Sequence, residues 1–401
     1  MRVTVDLGDL GFDEGGHLLL KRALQQTPVG GQVEVKGRAE ALDVHLDAWV
    51  RAQGHQVRWD TGDADGKRAV VTLGSAQEAR WSGAERAGHV DPFQGGGVLE
   101  APSQRWGLAA RGATVEAGAP EFGFPLAKKS EVWADDAVQL YAQAVAAQWD
   151  PNAAVPWDAE FELPDEIEDA VVQVMTYLIE NEMAALVVPS RFIAQVHPHF
   201  REVMQLLAIQ TADEARHVEV FTRRAHLKRE DLGLSTASGQ QSLKTLVDEP
   251  DFAIASFLLS VLGEGTFLTL LWFLERHAPD PITKTITRLA AQDEARHVAF
   301  GVAHLGEQIR HDPGLTGRLA QSVRRRHEEL RHTVGLNAEV FDALILLAAG
   351  SWEQDDLRRG NEEVSKLLRD MDAGRQSQLR RLGYTTAEAT ELSSLHTRNF
   401  M

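Results

Sequence analysis

The hexapeptide Asp-Glu-Ala-Arg-His-Val occurs twice in the chain, at 213–218 and at 293–298. Each copy sets a Glu and a His three residues apart, Glu214 with His217 and Glu294 with His297. On a helix, positions i and i+3 share a face, so both side chains of a pair can reach one metal ion. A single Glu-x-x-His arises easily by chance on a solvated helix. Two identical copies, each downstream of an apolar helical run with its own Glu, point instead to carboxylate–imidazole metal chemistry. Helical bundles that hold two metal ions take one Glu from each of two helices and a Glu-x-x-His pair from each of the other two.

Two upstream helices must supply the remaining carboxylates. In Glu166–Val187, the residues Met175, Leu178, Ile179, Glu182, Ala185 and Leu186 fall on one apolar stripe. Glu182 interrupts that stripe and is the expected inward carboxylate. Glu180 lies on the opposite, polar face with Gln173 and Thr176 and is the fallback. In Phe252–Leu274 the stripe is Phe257, Val261, Glu264, Leu268 and Leu271, with Glu264 as its acid. Gly263 and Gly265 flank it and leave room for a neighbouring helix, a ligand or a carboxylate shift. Glu182 precedes Glu214 by 32 residues and Glu264 precedes Glu294 by 30. At roughly 1.5 Å per residue, each separation suits an antiparallel helix pair that returns to the same depth. Four carboxylates and two imidazoles can hold two divalent ions with open positions, and hard oxygen donors without thiolate favour iron or manganese. Asp213 and Asp293 directly precede the ligand Glu residues. Each is expected to hold the far ring nitrogen of the His in the opposite motif, with Arg216 and Arg296 as ion-pair partners of these acids.

Composition narrows the function classes. The formal charge of −18 argues against a nucleic-acid or anionic-membrane binder. The absence of cysteine removes disulfides, iron–sulfur clusters, persulfide chemistry and thiol nucleophiles. The N-terminal MRVTVDLGDLGF lacks the apolar run of a signal peptide, so a cytoplasmic location is expected. Phe252–Leu274 is long enough to span a bilayer, but a charge at its centre would be costly there. No second segment of that kind is expected, and a buried bundle helix is the better reading.

Residues 165–310 resemble the ferritin-like di-iron carboxylate superfamily, in the branch with a duplicated DEARH. By matching position, the resemblance implies that Glu182, Glu214, His217, Glu264, Glu294 and His297 are the metal ligands. It implies two iron ions, with manganese able to occupy one or both positions, and O2 as co-substrate. Reduction of O2 to a bridged peroxo species would oxidise a small organic substrate. A ferredoxin or flavin reductase would supply electrons from outside, since the chain shows no nucleotide-binding fingerprint. The alternative is an iron-binding or peroxide-detoxifying protein with no organic substrate. Departures from the pattern argue against some branches, while N-oxygenation as a reaction stays open. The tyrosine of radical-forming ribonucleotide reductase subunits is replaced by Phe221, and its equivalent in the second motif is Gly301. Tyr177 is expected to pack. The extra His of arylamine N-oxygenases is Ala290, with Gln210 at the analogous place in the first motif. Phe267, Leu270, Trp272 and Phe273 suit a core or a hydrophobic pocket. His197 and His199 lie at a helix connection and are not assigned to the site.

The fold class expected is α+β multidomain and mainly α: a four-helix bundle with extra C-terminal helices behind a small α/β unit. Residues 1–75 read as β-α-β-α-β-β and resemble the TusA-type sulfur-carrier fold, through LGDLGF…LLLKRALQQTPVGGQVEV and AWVRAQGHQV. That family's Cys-Pro is replaced here by Gly11-Phe12-Asp13-Glu14, so sulfur transfer does not carry over. Residues 76–160 read as a connecting and covering segment with one helix, Ser130–Gln148. The bundle spans 161–312. Residues 313–401 read as packing helices at Leu315–Gly335, Ala338–Gly350, Asn361–Ala373, Arg375–Arg381 and Thr386–Leu395. A homodimer is compatible with this layout.

Overall fold

Alternation of Val33 and Val35 with polar neighbours makes Gln32–Gly37 a strand with one buried face. In the computed structural model, which describes residues 3–60, 66–75, 83–88, 97–333 and 337–395, it lies inside a four-stranded sheet. The strands are β1 (Val3–Asp6), β2 (Gln32–Gly37), β3 (Gln56–Trp59) and β4 (Lys67–Thr72), in spatial order β1-β2-β4-β3. β1 and β2 run parallel, joined through α1 (His17–Gln25), and the other pairings are antiparallel. Leu20 and Leu24 of α1, with Leu42, Leu46 and Val50 of α2 (Leu42–Ala52), close over Val33, Val35 and Val71. The β-α-β-α-β-β order is therefore the one expected. Phe12 is buried against Trp49 at 5.6 Å between ring centroids.

This unit runs further than residue 75. It comprises Met1–Ala87 together with Ala109–Glu121. A two-residue ladder joins β5 (Glu85–Arg86) to β6 (Thr114–Val115), inside the stretch expected to have little regular structure. Residues 76–82 and 89–96 of that stretch, and the chain end at 396–401, lie outside the described residues.

The second unit, Gly88–Leu108 with Phe122–Met401, is helical. Its elements are α3 (Ala137–Ala146), α4 (Asp165–Ile193), α5 (Arg201–Ala225), α6 (Ala237–Val247), α7 (Phe252–His277), α8 (Pro281–His311), α9 (Leu315–Leu330), α10 (Ala338–Ala349), α11 (Gln354–Arg381) and α12 (Thr386–Ser394). α4 packs along α5 and α7 along α8, and α5 meets α8, which makes the bundle. α10 packs on α4, α11 on α7, and α3 lies across α5 and α8. Phe192, Phe200, Phe221, Phe257, Phe267 and Phe300 fill the interior.

A buried charge network pins one end of the bundle. Arg224, fully enclosed near the end of α5, donates through Nη1 and Nη2 to the two oxygens of Glu168 on α4, at 2.6 and 3.0 Å. It also donates to Asp280 Oδ2 at 2.8 Å. Asp280 caps α8, its Oδ1 accepting from the Thr283 amide at 2.8 Å while Oδ2 accepts the Thr283 hydroxyl at 2.7 Å.

Four features depart from the periodicity-based expectation. α7 contains a π-helical stretch, Phe257–Gly263, directly before Glu264, instead of continuous α-helix. α11 is one helix through the positions expected to divide it. Gly360 permits this, since a Cβ there would stand 2.3 Å from the Ile345 carbonyl oxygen of α10. The expected helix Ser130–Gln148 is a single turn, Lys129–Val132, followed by α3. Finally, α4 as well as α7 is long and apolar enough to cross a membrane. The apolar windows of the two helices are 67% and 78% buried inside the protein, so bundle packing accounts for both.

Candidate metal centre

Six buried side chains converge between α4, α5, α7 and α8. α4 supplies Glu182, α5 supplies Glu214 and His217, α7 supplies Glu264, and α8 supplies Glu294 and His297; none exceeds 4% exposure. Glu180 stays at the surface side of α4, half-buried, so the apolar stripe separates the two candidate acids as periodicity implies. The ligand atoms form two sets, each lying within 4.8 Å of one another: Glu182, Glu214, His217 and Glu294, and Glu214, Glu264, Glu294 and His297. Glu214 and Glu294 belong to both sets. His217 Nδ1 stands 3.4 Å from Glu182 and Glu214 and 3.5 Å from Glu294. His297 Nδ1 stands 3.0 Å from Glu214 and 3.4 Å from Glu294.

Each imidazole is gripped from behind. His217 Nε2 lies 3.2 Å from Asp293 Oδ2, and His297 Nε2 lies 3.2 Å from Asp213 Oδ2, so each Asp holds the His of the other motif. A carboxylate accepts, so Nε2 carries a proton and Nδ1 is the ring nitrogen turned toward the centre. Arg216 donates to Asp293 at 3.0 Å and also pairs with Asp213, while Arg296 pairs with Asp293. Burial pushes Asp293 up, yet the His217, Trp149 and Arg216 hydrogen bonds outweigh it and hold the carboxyl below the usual range. The same contest, against His297 and Gln148, lowers Asp213.

Inside this ring the charge is not balanced. Burial raises Glu182 and Glu264 well above an ordinary carboxylate. For His217 and His297, burial opposes charge but the surrounding glutamates prevail and raise both. Glu214 is held low, because burial is outweighed by the two imidazoles and Glu182. Glu182 Oε1, both oxygens of Glu214, Glu264 Oε2, both oxygens of Glu294 and His297 Nδ1 are buried with no hydrogen-bond partner. Unpartnered buried oxygens are strongly disfavoured. The motif arginines face the aspartates, and among the described residues no lysine or arginine pairs with the four glutamates, which share only the two imidazoles. The donor set fits two hard divalent cations, with Glu214 and Glu294 common to the two ligand sets.

Three further contacts belong to the site and have weak sequence signals. Gln148 Nε2 donates to Asp213 Oδ1 at 2.7 Å, and Trp149 Nε1 donates to Asp293 Oδ2 at 2.8 Å. The Trp149 ring also lies within 17° of parallel to His217, at 6.5 Å between centroids, and the Arg216 guanidinium stands 4.6 Å from the Trp149 ring centroid. Both residues follow α3 and are far from the motifs in sequence, where Trp149-Asp150-Pro151 reads as a turn. Gln210 Nε2 donates to Glu264 Oε1 at 3.0 Å. Its place one turn before Glu214, on the ligand face, is the signal that could have found it.

Other candidates fall elsewhere. Phe267, Leu270 and Phe273 are core, and Trp272 is 39% exposed. Tyr177 is buried in α4. His197 and His199 fasten the start of α5: His197 Nδ1 accepts from the His199 amide at 3.1 Å, and His199 Nε2 accepts from the Leu99 amide at 2.9 Å.

No protein-family profile matches the sequence, and no curated protein matches it. Among solved structures, the chain is similar to an R2-like ligand-binding oxidase from Sulfolobus acidocaldarius, at 16% identity and a TM-score of 0.42. That alignment covers 63% of this chain and 93% of the oxidase. Variants of an R2-like ligand-binding oxidase with an aerobically reconstituted Mn/Fe cofactor align at 17% and 18% identity, each with a TM-score of 0.42, over 63% of this chain and 92% of theirs.

Proposed function

We propose that the chain is a non-haem di-metal carboxylate oxidoreductase, an O2-activating oxidase or oxygenase acting on a small organic substrate. The observation that carries this reading is the pair of four-residue ligand sets sharing Glu214 and Glu294, in which six of the eight glutamate oxygens are buried without a hydrogen-bond partner. Two iron ions, or manganese in place of one or both, supply redox chemistry with O2 when bound. Glu214 and Glu294, common to both sets, would contribute to both positions, with Glu182 and His217 holding one and Glu264 and His297 the other. His217 and His297 stay fixed because Asp293 and Asp213 hold their Nε2 protons. Arg216 keeps both aspartates ionised and so preserves that tautomer. Trp149 covers the His217 side of the centre with an apolar ring. Turnover draws electrons from an external donor of the ferredoxin or flavin-reductase class, in the cytoplasm. The N-terminal unit, a TusA-like fold without the thiol, serves as a docking or structural module.

Anaerobic loading with Fe(II) tests the reading. Wild type should retain two irons per chain, and His217→Ala and Glu264→Ala should each retain fewer than one. With excess reductant and a panel of small organic compounds, O2 uptake should rise with one class of compound. Iron oxidation without any such rise would favour the iron-handling alternative. Iron retention independent of both residues would sink the metal centre itself.

A further inference from the structure

The two halves of the centre carry the same hexapeptide, yet their outer carboxylates are held differently. Positions 210 and 290 are equivalent, each one turn before the Glu of its motif. Gln210 is buried and donates to Glu264 Oε1 at 3.0 Å. Ala290 is equally buried and has no donor to offer Glu182, whose one hydrogen-bond contact, to His217 Nδ1 at 3.4 Å, is with another ligand of the centre; each outer carboxylate keeps one oxygen without a partner. The turn before each outer carboxylate differs in the same sense. Ser260 places a hydroxyl one turn before Glu264, whereas Leu178, at the matching place before Glu182, is plain core. Ser260 is itself held against α8, since a Cβ on Gly301 would stand 2.6 Å from the Ser260 Cβ.

We propose that Gln210, seconded by Ser260, is a positioning residue that clamps Glu264 and makes the two metal positions unequal. The position built from Glu214, Glu264, Glu294 and His297 is preformed and fills first. The position built from Glu182, Glu214, His217 and Glu294 fills second, with Glu182 as the carboxylate free to swing. The inference rests on reading the cluster as a two-metal centre. Its physical basis is that a hydrogen bond from an amide to a carboxylate stabilises the charge and selects one rotamer. A ligand already in its bound orientation then loses less freedom on binding.

The test is anaerobic titration of metal-free, full-length protein with Mn(II), reading free Mn(II) by electron paramagnetic resonance. Wild type should bind two ions, the first at least about tenfold more tightly than the second. Gln210→Met keeps the volume and removes the donor. It should weaken the first ion about tenfold and leave the second unchanged, so that the two affinities converge. Ser260→Ala, a milder change should Gln210→Met fail to fold, should narrow the gap by roughly threefold. A merely structural role for Gln210 would lower the melting temperature and leave the ratio alone. Equal wild-type affinities, or an unchanged ratio in the variants, would overturn the clamp while two ions still bind. Failure of wild type to bind Mn(II) would overturn the two-metal reading on which it stands.

Discussion

In the Glu168–Arg224–Asp280 network every carboxylate oxygen has a guanidinium, amide or hydroxyl donor. A short way along the same helices, the Glu182–Glu214–Glu264–Glu294 cluster leaves six of its eight carboxylate oxygens without one. Both are buried, and both gather acids from several helices. They differ in where the positive charge comes from. Arg224 is covalently part of the chain, so its network closes when the protein folds. The four glutamates have only two imidazoles and bound protons to set against them until cations arrive from solvent. Burial alone therefore does not mark a functional site; buried acids left without fixed hydrogen-bond donors do.

The contrast can be broken at either end. The largest effect is expected from Arg224→Met, which strands Glu168 and Asp280 and uncouples the cap of α8. Removing one partner of a buried ion network costs about 3–5 kcal/mol. Chemical denaturation should show that loss, with metal stoichiometry unchanged in the folded fraction. A loss of metal without a loss of stability would erase the distinction between the two regions.

Next is the response to metal. Mn(II) at a hundredfold excess over Kd should stabilise wild type by about 2.7 kcal/mol, read as a rise in the unfolding midpoint. Glu264→Gln should lose much of that rise, and its metal-free form should be at least as stable as metal-free wild type, because one uncompensated acid is gone. The rise should grow with pH. Burial lifts Glu182 and Glu264, and the glutamates lift His217 and His297, so the empty cluster holds protons that each ion must displace. Low pH favours the proton and high pH the metal; a flat profile would contradict that sign.

The smallest effect is expected at the rim. Asp293→Asn keeps the shape behind His217 but removes the charge that orients it and pairs with Arg216 and Arg296. Metal affinity should fall about 10–100-fold in the same titration, while the Arg224 network is untouched. An unchanged affinity would reduce Asp293 to a scaffold for arginines.

Much of this comparison was legible from the chain alone, because helical periodicity acts on particular residues. The three-residue spacing within the hexapeptide put Glu214 with His217 and Glu294 with His297 on inward faces. The apolar stripe separated Glu182 from Glu180. Adjacency of Asp213 to Glu214 already suggested the crossed grip on the opposite imidazole. What escaped was set by tertiary contact. Gln148 and Trp149 reach the aspartates because α3 lies across α5 and α8, a placement no local spacing encodes. Arg224 sits on an otherwise ordinary amphipathic turn, and its partners are 56 residues away in each direction. Gly360 and Gly374 look like breaks in sequence, yet α11 runs through both, the first because α10 comes too close for a side chain. The two-residue ladder of β5 and β6 is too short to leave any alternation.

The π-helical stretch of α7 bears on how this centre could change over evolutionary time. A helix turns about 100° per residue, so losing one residue rotates everything beyond it by that amount. π-type stretches arise where a helix accommodates an extra residue without unwinding. Phe257–Gly263 lies just upstream of Glu264, between a packed core and the carboxylate. Substitutions there alter packing by degrees, and the surrounding apolar shell can absorb them. Because the stretch already absorbs one residue, a single deletion within it would close it into regular α-helix and leave Glu264 directed at its partners. The wide turn is consequently a place where this helix can gain or lose a residue at little cost to the direction of the carboxylate, a tolerance that the regular turns of α7 lack.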